Sequence, residues 1–282
     1  DLAWVDENFD LNAWVKKYIQ RRYGATSTNA EYAWNLIIDA NYDYGVRLTP
    51  EILGLRTGGI PAKLGKKTIG YDTSDLETAL RLLLEDFDTF KDSEGYRYDL
   101  TEIMRQVASN YITLKYHEVI DARDSKDLEA FQKVKEEFLN AFDVLNEVTG
   151  TQQDWLGGEW IGKAEDRAEN YDDFSMSAFK MNAKSLITTW GSTTDALIDY
   201  GFRTYEGAFN DVIKARWVEY LDQVEANIKD GTPITVPTST SGYASFYWKW
   251  VIGDQDYTRE AKDTPEDLKR VADRVLEECV FT

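Results

Sequence analysis

Apolar residues recur every three to four positions through most of this 282-residue chain, and this spacing limits its fold more than any other feature. The clearest series consists of Leu100, Ile103, Met104, Val107, Ala108, Tyr111 and Ile112, and it continues at Val119 and Ile120. Residues spaced i, i+3, i+4 and i+7 lie on one face of an α-helix. The series therefore predicts one long amphipathic helix.

A second helical series follows after a short junction. It consists of Leu128, Phe131, Val134, Phe138, Ala141 and Leu145, and Gly150 ends it. Only residues 124–126 mark the junction, and a short connection favours antiparallel packing of consecutive helices. We therefore expect an antiparallel helical hairpin.

Further helices are indicated on both sides of this hairpin. Asp10 is a suitable N-cap for a helix over residues 11–23, and Gly24 a suitable residue to close it. The other predicted helices begin at Asn29 or Glu31 and reach Ala40, begin at Thr73 or Ser74 and reach Phe87, and cover residues 155–170, 173–189, 203–229 and 265–279.

Strand-like alternation is scarce, so the predicted class is all-α, a multi-helix bundle. Two segments, residues 44–71 and 231–242, are rich in Gly, Pro, Ser or Thr and show no helical period. We expect them to be long loops, which are often functional in compact domains. The whole range 1–282 is expected to form a single helical domain.

The composition excludes several classes of partner. The 51 acidic and 32 basic residues give a net charge of -19, which argues against binding to nucleic acid or to anionic membranes. The first residues resemble no signal peptide, and no apolar run is long enough for membrane insertion. Cys279 is the only cysteine, so the chain forms no internal disulfide, and it contains no Asn-X-Ser/Thr sequon.

The residue types needed for most catalytic sites are absent or unpaired. The only histidine, His117, lies inside a predicted helix, which argues against Ser-His-Asp and Cys-His catalysis. No metal-ligand spacing, phosphate loop or dinucleotide fingerprint is present, so no cofactor and no metal is predicted. Two carboxylates suffice for glycoside hydrolysis, but the sequence singles out no pair that faces across a cleft. The adjacent pairs 136–137, 172–173 and 277–278 are interpreted as solvated faces and helix caps.

The stretch KSLITTWGSTTDALIDY, residues 184–200, combines features that a simple helix does not need. A helical pattern runs into Trp190-Gly191, small polar residues follow, and Asp199-Tyr200 ends the stretch. Amphipathic aromatic rings are used both as core residues and as platforms for sugars. From the residues alone, packing of Trp190 onto its own bundle is the simpler interpretation.

Several segments, taken together, resemble one known family. They are DLNAWVKKYIQRRYG at 10–24, AWNLI at 33–37, YRYDL at 96–100, NAKSLITTWG at 182–191, Asp199-Tyr200 and ARW at 215–217. Their order and spacing over nearly the whole chain are similar to those of the C-terminal helical domain of alpha-N-acetylglucosaminidases, glycoside hydrolase family 89.

This resemblance implies a retaining exo-acting hydrolase that removes terminal α-linked N-acetylglucosamine with two glutamates. In the family these glutamates lie on a (β/α)8 barrel that precedes the helical domain. The resemblance implies that this chain begins about where the barrel ends, and that no catalytic residue lies within it. Its expected partners are therefore its own upstream catalytic barrel and a glycan with terminal α-linked N-acetylglucosamine.

The resemblance also implies three substrate-binding residues. Trp190 would supply an aromatic wall for the sugar, Tyr200 a second wall with a hydroxyl, and Leu197, or its neighbour Ile198, an aliphatic contact. The chain departs from the family pattern in two places: residues 44–71 lack a histidine expected near the active site, and Gly201-Phe202-Arg203 replaces a more polar sequence.

Two other functions are compatible with the sequence. The chain is alternatively an independent helical module that binds carbohydrate or another protein, which measurable sugar affinity of the chain alone would indicate. A self-sufficient helical glycosidase would instead need activity from these residues alone.

By resemblance, and because paired cysteines and sequons are absent, we expect a secreted or cell-surface bacterial protein.

Overall fold

The computed structural model describes residues 9–41, 69–191, 193, 204–234 and 241–281. Within these ranges the chain is helical and forms no strand, so the predicted all-α class is confirmed. The α-helices are α1 (Leu11–Tyr23), α2 (Thr28–Asn41), α3 (Thr73–Glu85), α4 (Phe87–Phe90), α5 (Glu94–Ser125), α6 (Leu128–Thr149), α7 (Gly157–Ala168), α8 (Asp173–Leu186), α9 (Ala215–Asp230), α10 (Ser241–Val251) and α11 (Pro265–Glu278).

The first helices begin and end close to the predicted residues. The Asp10 side chain accepts a hydrogen bond from the Ala13 N–H, and Gly24 closes α1 in the left-handed conformation with φ of 87°. Helix α2 begins slightly earlier than predicted, because the Ser27 hydroxyl accepts a bond from the Ala30 N–H. Phe87 belongs to the separate short helix α4 and not, as predicted, to the helix that begins at Thr73.

Helices α5 and α6 form the predicted hairpin. Helix α5 has 32 residues and extends beyond the apolar series at both ends. Its chain reverses at Lys126, which is left-handed with φ of 57°, and Asp127 caps α6 with a bond to the Ala130 N–H. The two helices pack along their length, and α3, α9 and α11 pack against them.

The centre of the bundle is aromatic. Trp217 of α9 is fully buried, and its ring lies 5.0 Å from that of Phe138 and 5.1 Å from that of Tyr116, measured between centroids. Edge-to-face pairs of this kind contribute stability beyond their buried area. These rings are therefore core residues and not sugar platforms.

A hydrogen-bonded network joins three segments that are distant in sequence. The Arg22 guanidinium donates two bonds of 2.6 Å to the two carboxylate oxygens of Asp99. The Tyr23 hydroxyl also donates to Asp99, and the Trp34 indole N–H donates to the Tyr23 hydroxyl. The bonds from Arg22 to Asp99 raise the pKa of Arg22, and burial raises the pKa of Tyr23. The segments RRYG, AWNLI and YRYDL therefore contribute to one structural site.

The C-terminal third differs most from the sequence predictions. The pattern over 203–229 begins with a π-helical segment, Phe209–Lys214, before α9. Helix α10 was not predicted, and it packs against α8. The predicted loops lie mainly in residues 42–68 and 235–240, outside the described ranges. Within the described ranges, every helix is too short or too polar to span a bilayer.

Candidate functional site

Helix α8 ends in a tight turn that presents Trp190. The Trp190 side chain is 42% exposed, and its backbone is left-handed with φ of 56°. Its N–H donates a 2.9 Å bond to the Ser185 carbonyl, which closes the end of the helix. A bulky residue rarely adopts a positive φ, and such residues concentrate at functional sites.

The polar residues before Trp190 point into the protein and hold the turn. Thr188 and Thr189 are buried, at 2% and 0% exposure. The Thr188 hydroxyl donates to the Lys184 carbonyl at 2.8 Å, and the Thr189 hydroxyl lies 3.0 Å from that of Ser185. Because these hydroxyls are satisfied locally, the turn keeps a fixed shape while the Trp190 ring faces outward.

A buried lysine lies beneath the turn. Lys184 is fully buried, and its ammonium donates to the carbonyls of Trp250 and Gly253 and to the side-chain oxygen of Gln255. Burial lowers the pKa of Lys184 to about 8, and the positive charge of Lys180 acts in the same direction. Lys184 is not predicted as a site residue from the sequence, because a lysine near a helix end is usually solvated.

The chain re-enters the described region at Thr204, and the residues that follow contact α7, which is bonded to α8. The Trp160 indole N–H donates to the Ala183 carbonyl of α8, and its ring stacks on Tyr205 at 5.6 Å. Residues Leu156 and Glu206 form an isolated parallel bridge. The described residues on both sides of 194–203 are therefore anchored to α7 and α8.

Of the three substrate-binding residues implied by the resemblance, the structure describes one. Trp190 is exposed just after the end of α8. Leu197 and Tyr200, together with Ile198 and residues 201–203, lie outside the described residues. Their proximity to Trp190 thus stays a prediction.

One carboxylate of each adjacent pair at 136–137, 172–173 and 277–278 has a structural role. Asp172 caps α8 through the Ser175 N–H, Glu137 binds the ammonium of Lys115, and Glu278 binds Arg274. His117 lies half-buried within α5. Among the described residues, no three His, Cys, Asp or Glu side chains are arranged to hold a metal ion.

Glu206 is the carboxyl that stands out by its environment. Its Oε2 is buried and has no hydrogen-bond partner among the described residues. Burial raises the pKa of Glu206, while the positive charge of Lys262 opposes the shift. A raised carboxyl pKa is one property of a general acid, but glycoside hydrolysis also needs a second carboxylate facing it.

An exposed aromatic group marks the outer side of α8. Phe174 is 84% exposed and Tyr171 63% exposed, and the Tyr171 ring stacks on Phe179 with centroids 6.1 Å apart. Residues 177, 178 and 182 are exposed as well and lie at helical spacing from Phe174. We call the exposed surface formed by Tyr171, Phe174 and Phe179 the outer face of α8.

A separate open cleft of about 830 Å³ lies between the end of α1 and the start of α5. Its walls include the side chains of Tyr18, Arg21, Arg22, Glu94, Tyr98 and Asp154. Trp190 does not line it. The cleft therefore borders the structural Arg22–Asp99 pair and not the turn.

Comparison with known proteins identifies the family. Residues 14–277 match the family model described as the alpha-N-acetylglucosaminidase (NAGLU) C-terminal domain. The chain belongs to this family. The resemblance stated from the segments between 10 and 217 is thereby confirmed, and it covers nearly the whole chain.

One curated relative of this C-terminal domain is the human alpha-N-acetylglucosaminidase. The two sequences are 26% identical over an alignment of 281 positions, and the match covers 96% of this chain and 36% of the human protein. The chain thus spans about one third of the length of this relative.

Solved structures of a family 89 glycoside hydrolase from Clostridium perfringens share the fold of this alpha-N-acetylglucosaminidase C-terminal domain. In complex with PUGNAc, that enzyme matches with a TM-score of 0.85 and 27% identity over 99% of this chain and 32% of its own. In complex with its substrate GlcNAc-alpha-1,4-galactose, it matches with a TM-score of 0.86 and 28% identity, over 99% and 33%.

Proposed function

We propose that this domain is the C-terminal helical part of a retaining, exo-acting alpha-N-acetylglucosaminidase, and that it completes the pocket for terminal α-linked N-acetylglucosamine. The observation that supports this most is the Trp190 turn. Trp190 is 42% exposed at a left-handed backbone position that follows a buried polar network, although tryptophan is highly buried on average. A rigid exposed ring is well suited to stack on a sugar.

The catalytic glutamates of the proposed enzyme lie in the remaining two thirds of the polypeptide. One carboxylate of each adjacent pair in this domain is engaged in a helix cap or an ion pair. A retaining mechanism needs two carboxyl groups about 5 Å apart, one as nucleophile and one as acid and base. This domain therefore contributes binding surface, and the barrel contributes the bond-breaking groups.

The outer face of α8 is the surface that we assign to contact with the barrel. Its exposed rings are Tyr171, Phe174 and Phe179, and Trp190 follows four residues after the end of the same helix. Burial of such rings by a neighbouring domain would be favourable, because interfaces between domains commonly bury about 600–1,500 Å². A barrel seated there would bring Trp190 to the edge of its mouth.

The proposed enzyme acts outside the cytoplasm, secreted or at the cell surface of a bacterium. Cys279 is a lone buried thiol, so the fold is independent of disulfide formation. The resemblance to hydrolases that degrade glycans supports an extracellular substrate. Fractionation of the source cells with an antibody against the domain tests this assignment.

Hydrolysis of an aryl α-N-acetylglucosaminide is the first experiment, with these 282 residues alone and within the full-length polypeptide. We expect turnover only by the full-length protein, because an isolated part of a pocket loses enclosure and orientation. Turnover by the short chain would overturn the proposal and indicate a self-sufficient glycosidase. Sugar affinity of the short chain, measured by calorimetry, would favour the independent binding module.

The Trp190→Ala variant of the full-length enzyme tests the role of the turn. We expect KM to rise about tenfold and kcat to change less, since a stacked ring contributes about 1–2 kcal/mol of binding. Phe281→Ala is the matched control, because Phe281 is similarly exposed, at 41%, but its ring packs at a tilt against Tyr111 of α5. Unchanged KM in Trp190→Ala would remove Trp190 from the pocket.

A further inference from the structure

We propose that Lys184 is a positioning residue for the substrate pocket, because its buried ammonium fastens the end of α8 to the end of α10 and so fixes the Trp190 turn. This inference rests on the proposed function of Trp190. Lys184 would act through Trp190 and not by touching the sugar.

The side chain of Lys184 has one acceptor for each of its three N–H groups. The distances from Nζ are 3.3 Å to the Trp250 carbonyl, 2.6 Å to the Gly253 carbonyl and 3.0 Å to Gln255 Oε1. A protonated lysine carries three donors and no acceptor, so the site matches the ammonium form completely. Such a match indicates a built site for a charged lysine.

The acceptors belong to the end of a helix. The carbonyls of Trp250 and Gly253 lie at the C-terminus of α10, where a positive charge is favourable. The ammonium also lies 5.0 Å from the centroid of the Trp250 ring. Trp250 in turn donates to the Tyr257 hydroxyl, which donates to Asp211 of the π-helical segment.

The backbone of Lys184 belongs to the turn itself. Its carbonyl accepts bonds from the Thr188 hydroxyl at 2.8 Å and from the Ile187 N–H at 3.3 Å. The next carbonyl, that of Ser185, accepts the Trp190 N–H. Lys184 therefore connects the C-terminus of α10 to the hydrogen-bonded turn that ends at Trp190.

The charges around Lys184 come from three elements. Glu165 of α7 and the residues Asp254 and Asp256 after α10 favour its protonation, whereas Lys180 of α8 opposes it. Lys180 is itself paired with Glu165 and Asp256, each at 3.3 Å. Because burial lowers the pKa of Lys184 to about 8, mildly alkaline pH removes one of its three donors. Arginine at this position would stay charged.

The test compares Lys184→Met, Lys184→Arg and Trp190→Ala in the full-length enzyme. Hydrogen exchange of the amides at 187, 188 and 190 reports the turn directly, and KM for an aryl α-N-acetylglucosaminide reports the pocket. In Lys184→Met we expect exchange at these amides to be about tenfold faster and KM to rise about tenfold, with restoration in Lys184→Arg. Lys115→Met is the matched control, since Lys115 is a buried lysine over the Tyr111 ring in the α5–α6 hairpin.

The outcomes separate this inference from the function on which it rests. Unchanged exchange in Lys184→Met, or unchanged KM when Trp190→Ala raises it, would overturn the positioning role. Faster exchange in Lys184→Met with normal KM in both variants would instead overturn the pocket function of Trp190. If Lys184→Met fails to fold, the pH profile decides: the KM of the natural enzyme should rise above about pH 8 relative to Lys184→Arg, and parallel profiles would refute the proposal.

Discussion

At the scale of single residues, the fold depends on the ion pair between Arg22 and Asp99. Replacement of Asp99 by Asn keeps the size of the side chain but removes the charge that accepts two bonds from Arg22. The Arg22 side chain keeps about one third of its surface in solvent, which lowers the cost of leaving its charge unpaired, so we expect a loss of about 2 kcal/mol in the free energy of unfolding. Chemical denaturation monitored by circular dichroism measures this change.

The matched control for Asp99→Asn is Asp88→Asn. Asp88 also accepts a bond from a basic residue, Lys91, but its side chain is 91% exposed. Exposed pairs of this kind contribute little. Equal losses in the two variants would show that burial of the Asp99 site does not stabilise the fold.

Glu206 gives a second prediction at this scale, with a defined dependence on pH. Its pKa is raised in the folded state, so the folded chain binds its proton more tightly than the unfolded chain. The favourable contribution is then complete at acidic pH and is lost as pH rises through the raised pKa. Glu206→Gln should therefore raise the free energy of unfolding by about 1 kcal/mol at neutral pH and have less effect in acid.

Glu147→Gln is the control with the opposite sign. Burial opposes its ionisation, but bonds from Arg274 and Arg270 prevail and lower the pKa of Glu147. Its contribution is present at neutral pH and is lost in acid. Thermal unfolding at pH values from acidic to neutral should show the two variants diverging in opposite directions, and parallel curves would contradict the assignment for Glu206.

The two key residues of the turn differ in how well the sequence revealed them. Trp190 is predicted as a site residue because the surrounding sequence resembles a family motif. The pattern of polar and apolar residues around it does not by itself predict that its ring is exposed. Lys184 was not identified, since its burial depends on the end of α10, about 70 residues later in the chain. Contacts over such distances leave no periodic signal in the sequence.

At the scale of elements, helices with a polar and an apolar side were predicted well. The hairpin of α5 and α6 follows from its apolar series, and Asp10 and Gly24 mark the ends of α1. Helix α10 was missed because its sequence, SGYASFYWKWV, contains one charged residue and no clear polar side. The segment 155–170 was placed correctly, although its helix ends at Ala168.

The close packing of Gly158 against residues 257–258 predicts the effect of adding a methyl group at this position. A Cβ added at Gly158, in the first turn of α7, would lie 2.1 Å from the Thr258 carbonyl oxygen and 2.5 Å from that of Tyr257. Backbone atoms cannot move aside as side chains do, so we expect Gly158→Ala to lower the free energy of unfolding by about 3 kcal/mol. Denaturant titration of the purified variant measures the loss.

Gly231→Ala separates this steric effect from a purely conformational one. Gly231 has a φ of 66°, and an added Cβ would have open space around it. Its replacement should therefore cost about 1 kcal/mol, the penalty for a left-handed L-residue. A loss in Gly158→Ala no larger than that in Gly231→Ala would show that α7 can shift away from residues 257–258.

At the scale of the whole molecule, the chain accounts for about one third of the length of its family 89 relatives. Its bundle has its own aromatic core around Trp217, which supports the proposal of one helical domain. The outer face of α8 is different, because rings there remain exposed although the core is well packed. Exposed aromatic groups of this kind often mark interaction surfaces.

The double variant Phe174→Ser, Phe179→Ser tests whether this face meets the rest of the enzyme. In the full-length protein we expect calorimetry to show separate unfolding of the helical domain at a lower temperature, because the proposed contact that couples it to the rest of the enzyme is weakened. The 282-residue chain carrying the same changes should self-associate less than the natural chain. Phe281→Ser removes an equally apolar ring at the other end of the sequence and should alter neither property. If the double variant leaves the full-length unfolding unchanged, the barrel rests on another surface, and Trp190 must reach the pocket from a different direction.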